Sequence, residues 1–479
     1  MNYGLSWSLD RNLNYDLGKP LLLAPILGVD GLGPTRKQWK NLSPTVGLAW
    51  RPASNSKTVL RAGAGFYYGP LNSFTLDTER AALGQPGLGR QTFTGSSILN
   101  SLAGVTGVPV GSPLEFRGAP TLFTGGDLLA ILPAIRAGLT QGLANADPTV
   151  QAIQVTKQLS GANNGLYPAR FPSPSALHSS LRVQRQIARD FVVNVDFVYR
   201  HFVHTAREGL VALDLNHFNS IRGPVIPKCT GAQANDPRAI CSLGPINVME
   251  APGRATYKSV LLRAEKRFSH HLQALGSYAY SSNTGTSFRN GFNLDNWLQS
   301  SGPTDFDNTQ IANLAGMAQL PWALELGLNF SYSTAPPFSA YVGQIDFNGD
   351  GTTGDLLPGT TVNAFNRGMG PWDLERLVSQ FNGAYALTKD AQGRTIPRLA
   401  LPAKYAFGDN FHSLDLRLSR SFVFQEHWRL SLIAEVFNRY NKANLTGYSG
   451  DLTSAAFGQP TSRAAQVFGS GGRACFNWP

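Results

Sequence analysis

The sequence predicts an all-β fold, a transmembrane antiparallel β-barrel with long extracellular loops that contain minor helix. Segments of about ten residues alternate between apolar and polar side chains, which is the length and period of a tilted strand that crosses a bilayer. Very short turns join these segments in pairs, and long polar stretches separate the pairs. Only 15% of the 479 residues are charged, against about 25% in soluble domains, so something other than a charged surface must face the surroundings.

The strands follow one another as hairpins with one apolar and one polar face. Alternation from Tyr3 to Leu9 indicates a first strand. Beyond it, the pattern appears in the following segments: 44–51 with 58–69, 177–200, 257–282, 322–332 and 412–439. In the pair 177–200, for example, Leu181 and Val183 share one face, whereas Arg182 and Gln184 share the other. About twelve strands are expected in all.

The connections alternate in length. Short turns follow Trp50, Ile187, Phe268 and Phe424, and the long polar stretches are 70–174, 201–256, 283–304 and 335–411. Residues 127–157 show weak helical spacing. Loops of such length are usually functional, and short turns opposite long loops are typical of outer-membrane barrels with the short side periplasmic.

Strands of this kind fit two environments, a soluble sandwich with packed apolar faces or a barrel with a polar interior and lipid outside. Aromatic residues near the predicted strand ends favour the barrel because they form interfacial girdles. Lys266 lies on an apolar face but close to a turn, where its ammonium can reach the membrane interface. A barrel in lipid must also pair its first strand with its last.

Several classes of protein are excluded or disfavoured. No run of 18 apolar residues indicates a transmembrane helix, and no secretory signal follows Met1. The formal charge of +11 comes from scattered basic residues without an aromatic-rich patch, so nucleic-acid binding is not expected.

Five segments resemble the barrel of TonB-dependent receptors of the Oar-like type. They are LSPTVGLAWRP (42–52), KTVLRAGAGFYYGP (57–70), LRVQRQIARDFVVNVDFVYR (181–200), YKSVLLRAEKRFSHHLQALGSYAYSSN (257–283) and LDLRLSRSFVFQEHWRLSLIAEVFNRYNKANL (414–445). The resemblance implies a 22-stranded barrel in a Gram-negative-type outer membrane, an N-terminal plug inside it, and ligand uptake powered by TonB through that plug.

The resemblance also predicts what residues 1–479 contain. They correspond to one partial barrel domain without plug, TonB-contacting segment or signal peptide. The end, QVFGSGGRACFNWP, replaces an expected amphipathic strand with a terminal aromatic residue, and Pro479 cannot donate a ladder hydrogen bond. We therefore expect a fragment, from an incomplete gene model with a frameshift near Gly472.

The clearest chemical motif contains Asp346, Asn348, Asp350 and Asp355 in a predicted outward loop. Alternate oxygen ligands with glycine at the sixth position resemble the first half of a calcium loop. Leu357 occupies the twelfth position instead of a bidentate glutamate, which excludes an EF-hand. Two interpretations stay open, a calcium-stiffened loop and an Asx-rich turn.

A loop disulfide between Cys229 and Cys241 is expected in an oxidising compartment, with two unpaired thiols as the alternative. Other chemistry is disfavoured. The pairs His201/His204 and His270/His271 lack companions at zinc-ligand spacing, GAGFYYG (63–69) lacks dinucleotide spacing, and GYSG (447–450) is no nucleophile elbow. Glu265 and Glu435, among arginines, indicate a charge network in the barrel interior. No catalytic residue and no other cofactor is predicted.

The sequence therefore predicts a non-enzymatic receptor-type transport barrel. Its partners would be membrane lipid, an external ligand (an oligosaccharide, chelate or peptide) and TonB, the last through the plug only. A passive porin and a secreted β-sandwich or propeller binding module are the alternatives.

Overall fold

The computed structural model describes most of the chain, with gaps. The described residues are 2–6, 9–10, 18–35, 41–53, 57–69, 133, 147–160, 166–205, 211–217, 224–251, 253–286, 299–390, 392–424, 428–466 and 473–475. Most of the stretch predicted as weakly helical, and the turns at 54–56 and 425–427, lie outside these residues.

One antiparallel sheet of twelve strands dominates the fold. Its strands are β1 Asn2–Ser6, β2 Thr45–Trp50, β3 Thr58–Tyr68, β4 Ser175–Ala188, β5 Phe191–Thr205, β6 Gly253–Ser269, β7 Leu272–Thr286, β8 Ser301–Pro303, β9 Gln310–Leu320, β10 Leu324–Ser333, β11 Phe411–Phe424 and β12 Trp428–Val436. Each strand pairs with its neighbour in the chain, except that β8 is a short addition to β7 and the sheet continues from β7 to β9. In the described residues β1 and β12 form the two edges and do not pair with each other.

The register places the predicted faces on the same sides of the sheet throughout. Leu181 lies opposite Phe197, which in turn lies opposite Val260, so apolar residues line up across three strands. One position away, Arg182 lies opposite Asp196. Because side chains alternate with period two, this register extends an apolar face and a polar face across the sheet. The apolar side chains are exposed, as at Leu262 (43%).

The strand β9 was not predicted, and the residue Trp322 was assigned wrongly. Trp322 begins no strand but lies in the 3-10 turn Pro321–Ala323 between β9 and β10, with a φ of 62°. The sequence did not predict β9 because the small residues Ala312, Gly316 and Ala318 make its two faces similar in size and polarity. This turn adds a fifth short connection on the side where the others lie.

Helices are few. They are α1 Ala24–Leu27, α2 Pro148–Leu159 and α3 Pro371–Ala384, with 3-10 turns Leu21–Leu23, Val29–Gly31, Gly231–Ala234 and Pro321–Ala323. The Asp147 carboxylate accepts a hydrogen bond from the Thr149 amide at 2.8 Å and caps α2. Asp373 accepts from the Gly370 amide at 2.9 Å at the start of α3. Among the described residues, none of the helices has the length and apolarity to cross a membrane.

Short strand pairs complete the fold. They are Leu9–Asp10 with Asn41–Leu42, Val211–Asp214 with Asn247–Glu250, Tyr341–Val342 with Asp355–Leu356, and Leu445–Tyr448 with Pro460–Gln466, which also pairs with Arg473–Cys475.

Candidate functional site

The long connections all leave one end of the sheet, and we call this end the long-loop rim. They follow β1, β3, β5, β7 and β10, whereas β2, β4, β6, β9 and β11 end at the opposite end of the sheet, where the short connections lie. The buried hydrophobic cores of the described residues belong to segments outside the twelve strands. The rim therefore carries folded lobes, which sequence reasoning did not predict.

The first rim lobe is formed by residues 20–34, 148–160, 166–171, 214–217 and 224–251. Its core packs Leu23, Leu159, Leu166, Ile226, Ile246 and Val248. The Sγ atoms of Cys229 and Cys241 are bonded in this lobe. The Lys157 ammonium of α2 donates to the carbonyls of Gln233 (2.7 Å) and Asp236 (2.6 Å), inside the loop that the disulfide closes. The buried Lys157 ammonium thus holds α2 against this loop, and the disulfide closes the loop itself.

The second rim lobe is formed by residues 335–390, 392–410 and 444–459. Its core is aromatic, and the Phe338 ring contacts those of Phe365, Phe407 and Phe457. Helix α3 covers this core with one apolar face, which consists of Leu374, Leu377, Val378 and Phe381. The lobe therefore has a hydrophobic interior of its own and does not depend on the sheet for burial.

The second rim lobe is fastened to the connection between β7 and β9. Arg367 Nε lies 2.6 Å from Asp307 Oδ2, with only 8% and 3% of these side chains exposed. Asn363 Nδ2 donates to the Pro303 carbonyl at 2.9 Å. A Cβ on Gly302 would lie 2.2 Å from the Val362 carbonyl oxygen, so only glycine fits this contact. Polar bonds and close packing thus fix the lobe at the rim.

The predicted calcium-type residues lie in a hairpin of the second rim lobe, between the strands Tyr341–Val342 and Asp355–Leu356. Asp346 Oδ1 accepts hydrogen bonds from the amides of Gly349 (2.7 Å) and Asp350 (3.1 Å), and Oδ2 accepts from Gly351 (2.9 Å). Gly349 and Gly351 have φ values of 78° and 88°, which favour glycine. The Asp346 carboxylate therefore organises the loop backbone around itself.

All three aspartates of this hairpin are buried. Their exposed fractions are 0% for Asp346, 2% for Asp350 and 1% for Asp355. Burial, and then the charges of Asp350 and Asp346, raise the pKa of the Asp355 carboxyl to about 8, and the nearby Asn348 side chain opposes the rise. Burial also raises the pKa of Asp346, against the amides that donate to it.

The structure thus brings the predicted residues into one loop without forming a finished ligand shell. In the described part of the chain, no three His, Cys, Asp or Glu side chains converge at the spacing of a preformed metal centre. The carboxylates are electrostatic neighbours, and both oxygens of Asp355 are buried without a hydrogen-bond partner.

A second polar cluster lies on the polar face of the sheet. The sequence predicted this face, but it did not predict that these polar side chains lie close together. Arg61, His178, Arg182, Asp196 and Arg200 line a concavity of about 680 Å³ on β3, β4 and β5. Arg182 and Asp196 form an ion pair. Counting alternate positions on β3 would have shown that Arg61 shares this face.

The remaining candidates stay apart. His201 Nδ1 lies 3.0 Å from Thr256 Oγ1 on β6, whereas His270 and His271 form the turn after β6, both with positive φ. Glu265 lies 3.2 Å from Arg263, and Glu435 lies 3.5 Å from Arg417. These two ion pairs lie on the polar face, in the arrangement of a charge network.

Comparison with known proteins gives a family match and several similar folds. Residues 6–473 match the model of a family described as an outer membrane beta barrel domain. No curated protein matches the chain. Similar solved structures include the ferric-catecholate import receptor Fiu from Escherichia coli K12, with 9% identity and a TM-score of 0.38, over 96% of this chain and 40% of that one.

Two further similar structures are the FrpB iron transporter from Neisseria meningitidis and BauA, the ferric preacinetobactin receptor from Acinetobacter baumannii. FrpB has 9% identity and a TM-score of 0.33, over 86% of this chain and 36% of its own. BauA has 9% identity and a TM-score of 0.35, over 87% of this chain and 35% of its own. The chain spans no more than 40% of any of these three structures.

Proposed function

The chain belongs to the family of outer-membrane β-barrel domains, and from that premise we propose that it is the barrel of a receptor that takes up an external ligand with energy from TonB. The observation that carries this proposal is the pair of folded lobes on the long-loop rim. A passive pore needs only a rim that stays open. Lobes with separate hydrophobic cores, by contrast, hold surface residues in fixed positions, as ligand recognition requires.

The orientation of the barrel supports this role. In outer-membrane barrels the short turns face the periplasm and the long loops face outward. The described sheet has its turns at one end and both rim lobes at the other. The rim lobes then meet the external medium, where an oligosaccharide, a chelate or a peptide would be captured.

Energy coupling is supported by the sequence segments rather than by the geometry. Five segments between 42 and 445 resemble TonB-dependent receptors of the Oar-like type. In such receptors the contact with TonB is made through a plug, so the proposal assigns coupling to a plug and not to residues of the barrel. The basic concavity around Arg61, Arg182 and Arg200 is where a plug or a passing ligand would meet the barrel wall.

The proposal can be tested without knowing the ligand. Wild-type cells, a strain deleted for this locus and a strain deleted for TonB are grown in the same complex medium, and the spent media are compared by mass spectrometry. We expect at least one solute that the wild type depletes and both deletion strains leave behind. A locus deletion complemented with the intact gene should deplete it again.

A passive porin gives a different result in the same experiment. Solutes that enter by passive diffusion would remain in the medium of the locus-deletion strain. The TonB-deletion strain would deplete them as the wild type does. That pattern would overturn the receptor proposal, and so would spent media that do not differ between the wild type and the locus deletion.

A further inference from the structure

The hairpin at Asp346–Asp355 in the second rim lobe contains a buried carboxylate whose two oxygens are both unsatisfied. Asp355 is 1% exposed, and neither carboxylate oxygen has a hydrogen-bond partner. Among the ion pairs of the described residues, none includes Asp346 or Asp355. A buried, charged carboxylate without a cation or a hydrogen-bond donor raises the free energy of the folded state. The fold must therefore neutralise the carboxylate or supply a partner for it.

The surroundings of Asp355 contain oxygen atoms of the kind that bind hard cations. Asp346 and Asp350 are buried beside it and act on it electrostatically. The Asn348 Oδ1 atom accepts a hydrogen bond from the Asp350 backbone amide at 3.0 Å. This bond holds the Asn348 side chain against the loop. No sulfur or imidazole ligand lies among these residues. Carboxylate and amide oxygens without nitrogen or sulfur favour calcium or magnesium over transition metals.

We propose that this hairpin of the second rim lobe binds one calcium ion through Asp346, Asn348, Asp350 and Asp355. The loop supplies the first three ligands from alternate positions, and Asp355 supplies the fourth from the returning strand, where it pairs with Val342. Small side-chain rotations must draw the carboxylates together, since they do not already stand at ligand spacing. Calcium tolerates such irregular shells, whereas magnesium requires near-octahedral geometry.

The site differs from an EF-hand in where its last acidic ligand lies. Leu357, at the twelfth position, is fully buried in the core of the second rim lobe. Its side chain therefore anchors the hairpin to the aromatic core, whereas Asp355, two residues earlier, lies within electrostatic reach of Asp346 and Asp350. Bound calcium would fix the hairpin to that core at the outward end of the protein. This inference holds whether or not the protein takes up a ligand.

The test uses the full chain purified in detergent and stripped with a chelator. Isothermal titration with calcium chloride should show one ion per chain, with a Kd on the order of 10⁻⁴ to 10⁻³ M, as in extracellular calcium modules. Hydrogen exchange of residues 343–356 should slow on addition of calcium and not on addition of an equal concentration of magnesium. Asp355→Asn should weaken calcium binding at least ten-fold.

Glu375→Gln is the matched control, because it removes one negative charge from the same lobe at an exposed position of α3. It should bind calcium as the wild type does. Circular dichroism checks the fold of each variant, and Asn348→Ala, which removes one ligand, serves as the second variant with the same expected loss.

Two outcomes would overturn the proposal. In the first, calcium has no effect on the wild type, and Asp355→Asn exchanges more slowly than the wild type without metal, as expected for a neutral buried acid. In the second, Asp355→Asn and Glu375→Gln bind calcium with equal affinity, so that the ion lies elsewhere on the protein or on bound lipid.

Discussion

Arg367 and Asp307 form a buried ion pair that fastens the second rim lobe to the connection between β7 and β9. The guanidinium also donates to the carbonyls of Ala335 (3.0 Å) and Asn366 (2.6 Å). Arg367→Met should cost about 3–5 kcal/mol because it leaves a buried carboxylate without its cation. Hydrogen exchange should accelerate across 335–410 but not in β11. The double variant Arg367→Met/Asp307→Asn should recover part of the loss, and equal exchange in all three proteins would contradict this role.

Lys266 shows how a cation is accommodated on the apolar face of the sheet. Its ammonium contacts the Asp190 carboxylate in the turn after β4, and it lies 2.6 Å from Ser269 Oγ. The sequence predicted that this lysine would reach the membrane interface, but the partner could not be predicted because Asp190 lies 76 residues away. The spacing of residues along the sequence shows that a long side chain is near its own turn. It does not show which other turn lies beside it in the folded protein.

This contact predicts an asymmetry between two substitutions. Asp190→Asn leaves an ammonium at the lipid boundary without its carboxylate, whereas Lys266→Met places an apolar side chain on an apolar face. We expect Asp190→Asn to lower the temperature at which the folded band disappears on unheated gels, and Lys266→Met to lower it less or not at all. The reverse order would show that Lys266 faces an aqueous environment.

A single disulfide bond closes the segment between Cys229 and Cys241. Replacing both cysteines with serine should destabilise the first rim lobe by about 3 kcal/mol, the loop-closure stabilisation expected for a closed loop of about this length. Proteolysis within 229–241 should accelerate while β6 and β7 keep their hydrogen-exchange protection. If the variant and the wild type are cleaved at the same rate under oxidising conditions, the bond does not stabilise the lobe.

Among the elements, the sequence predicted those with strong alternation and missed those without it. β4 to β7 and β11 to β12 alternate large apolar residues with polar ones, and their hairpins lie where predicted. β9 was missed because it alternates Ile311, Asn313 and Met317 with mostly small residues. The rim lobes were missed for a different reason, since their cores join residues as distant as Phe338 and Phe457, which no local period connects.

The calcium-type residues are an intermediate case. Their spacing within ten residues made the loop recognisable from sequence alone. Their burial did not follow from spacing, because the lobe that covers them is built by α3 and by residues up to Phe457. The basic concavity on the polar face also depends on register between strands, which joins Arg61 to Arg182 across 121 residues of chain.

For the molecule as a whole, membership in a family of outer-membrane barrel domains predicts that one face of the sheet meets lipid. The neighbouring residues Leu261 and Leu262 lie near the middle of β6 on opposite faces, since Leu261 pairs with Asp196 and Leu262 with Val195. Leu262→Arg should destabilise the folded protein by about 2–4 kcal/mol, the cost of arginine at the lipid-facing midplane of a barrel. Leu261→Arg puts the same side chain among polar neighbours and should cost much less.

Both variants would be compared by urea titration after refolding into phospholipid vesicles, with the folded fraction measured from gel mobility. Comparing the two variants isolates the effect of the face on which arginine is placed, because both variants lose a leucine and gain a charge in the same strand. A barrel with a polar interior predicts a lower urea midpoint for Leu262→Arg than for Leu261→Arg. Equal midpoints, or a lower one for Leu261→Arg, would mean that the apolar face packs against protein and not against hydrocarbon.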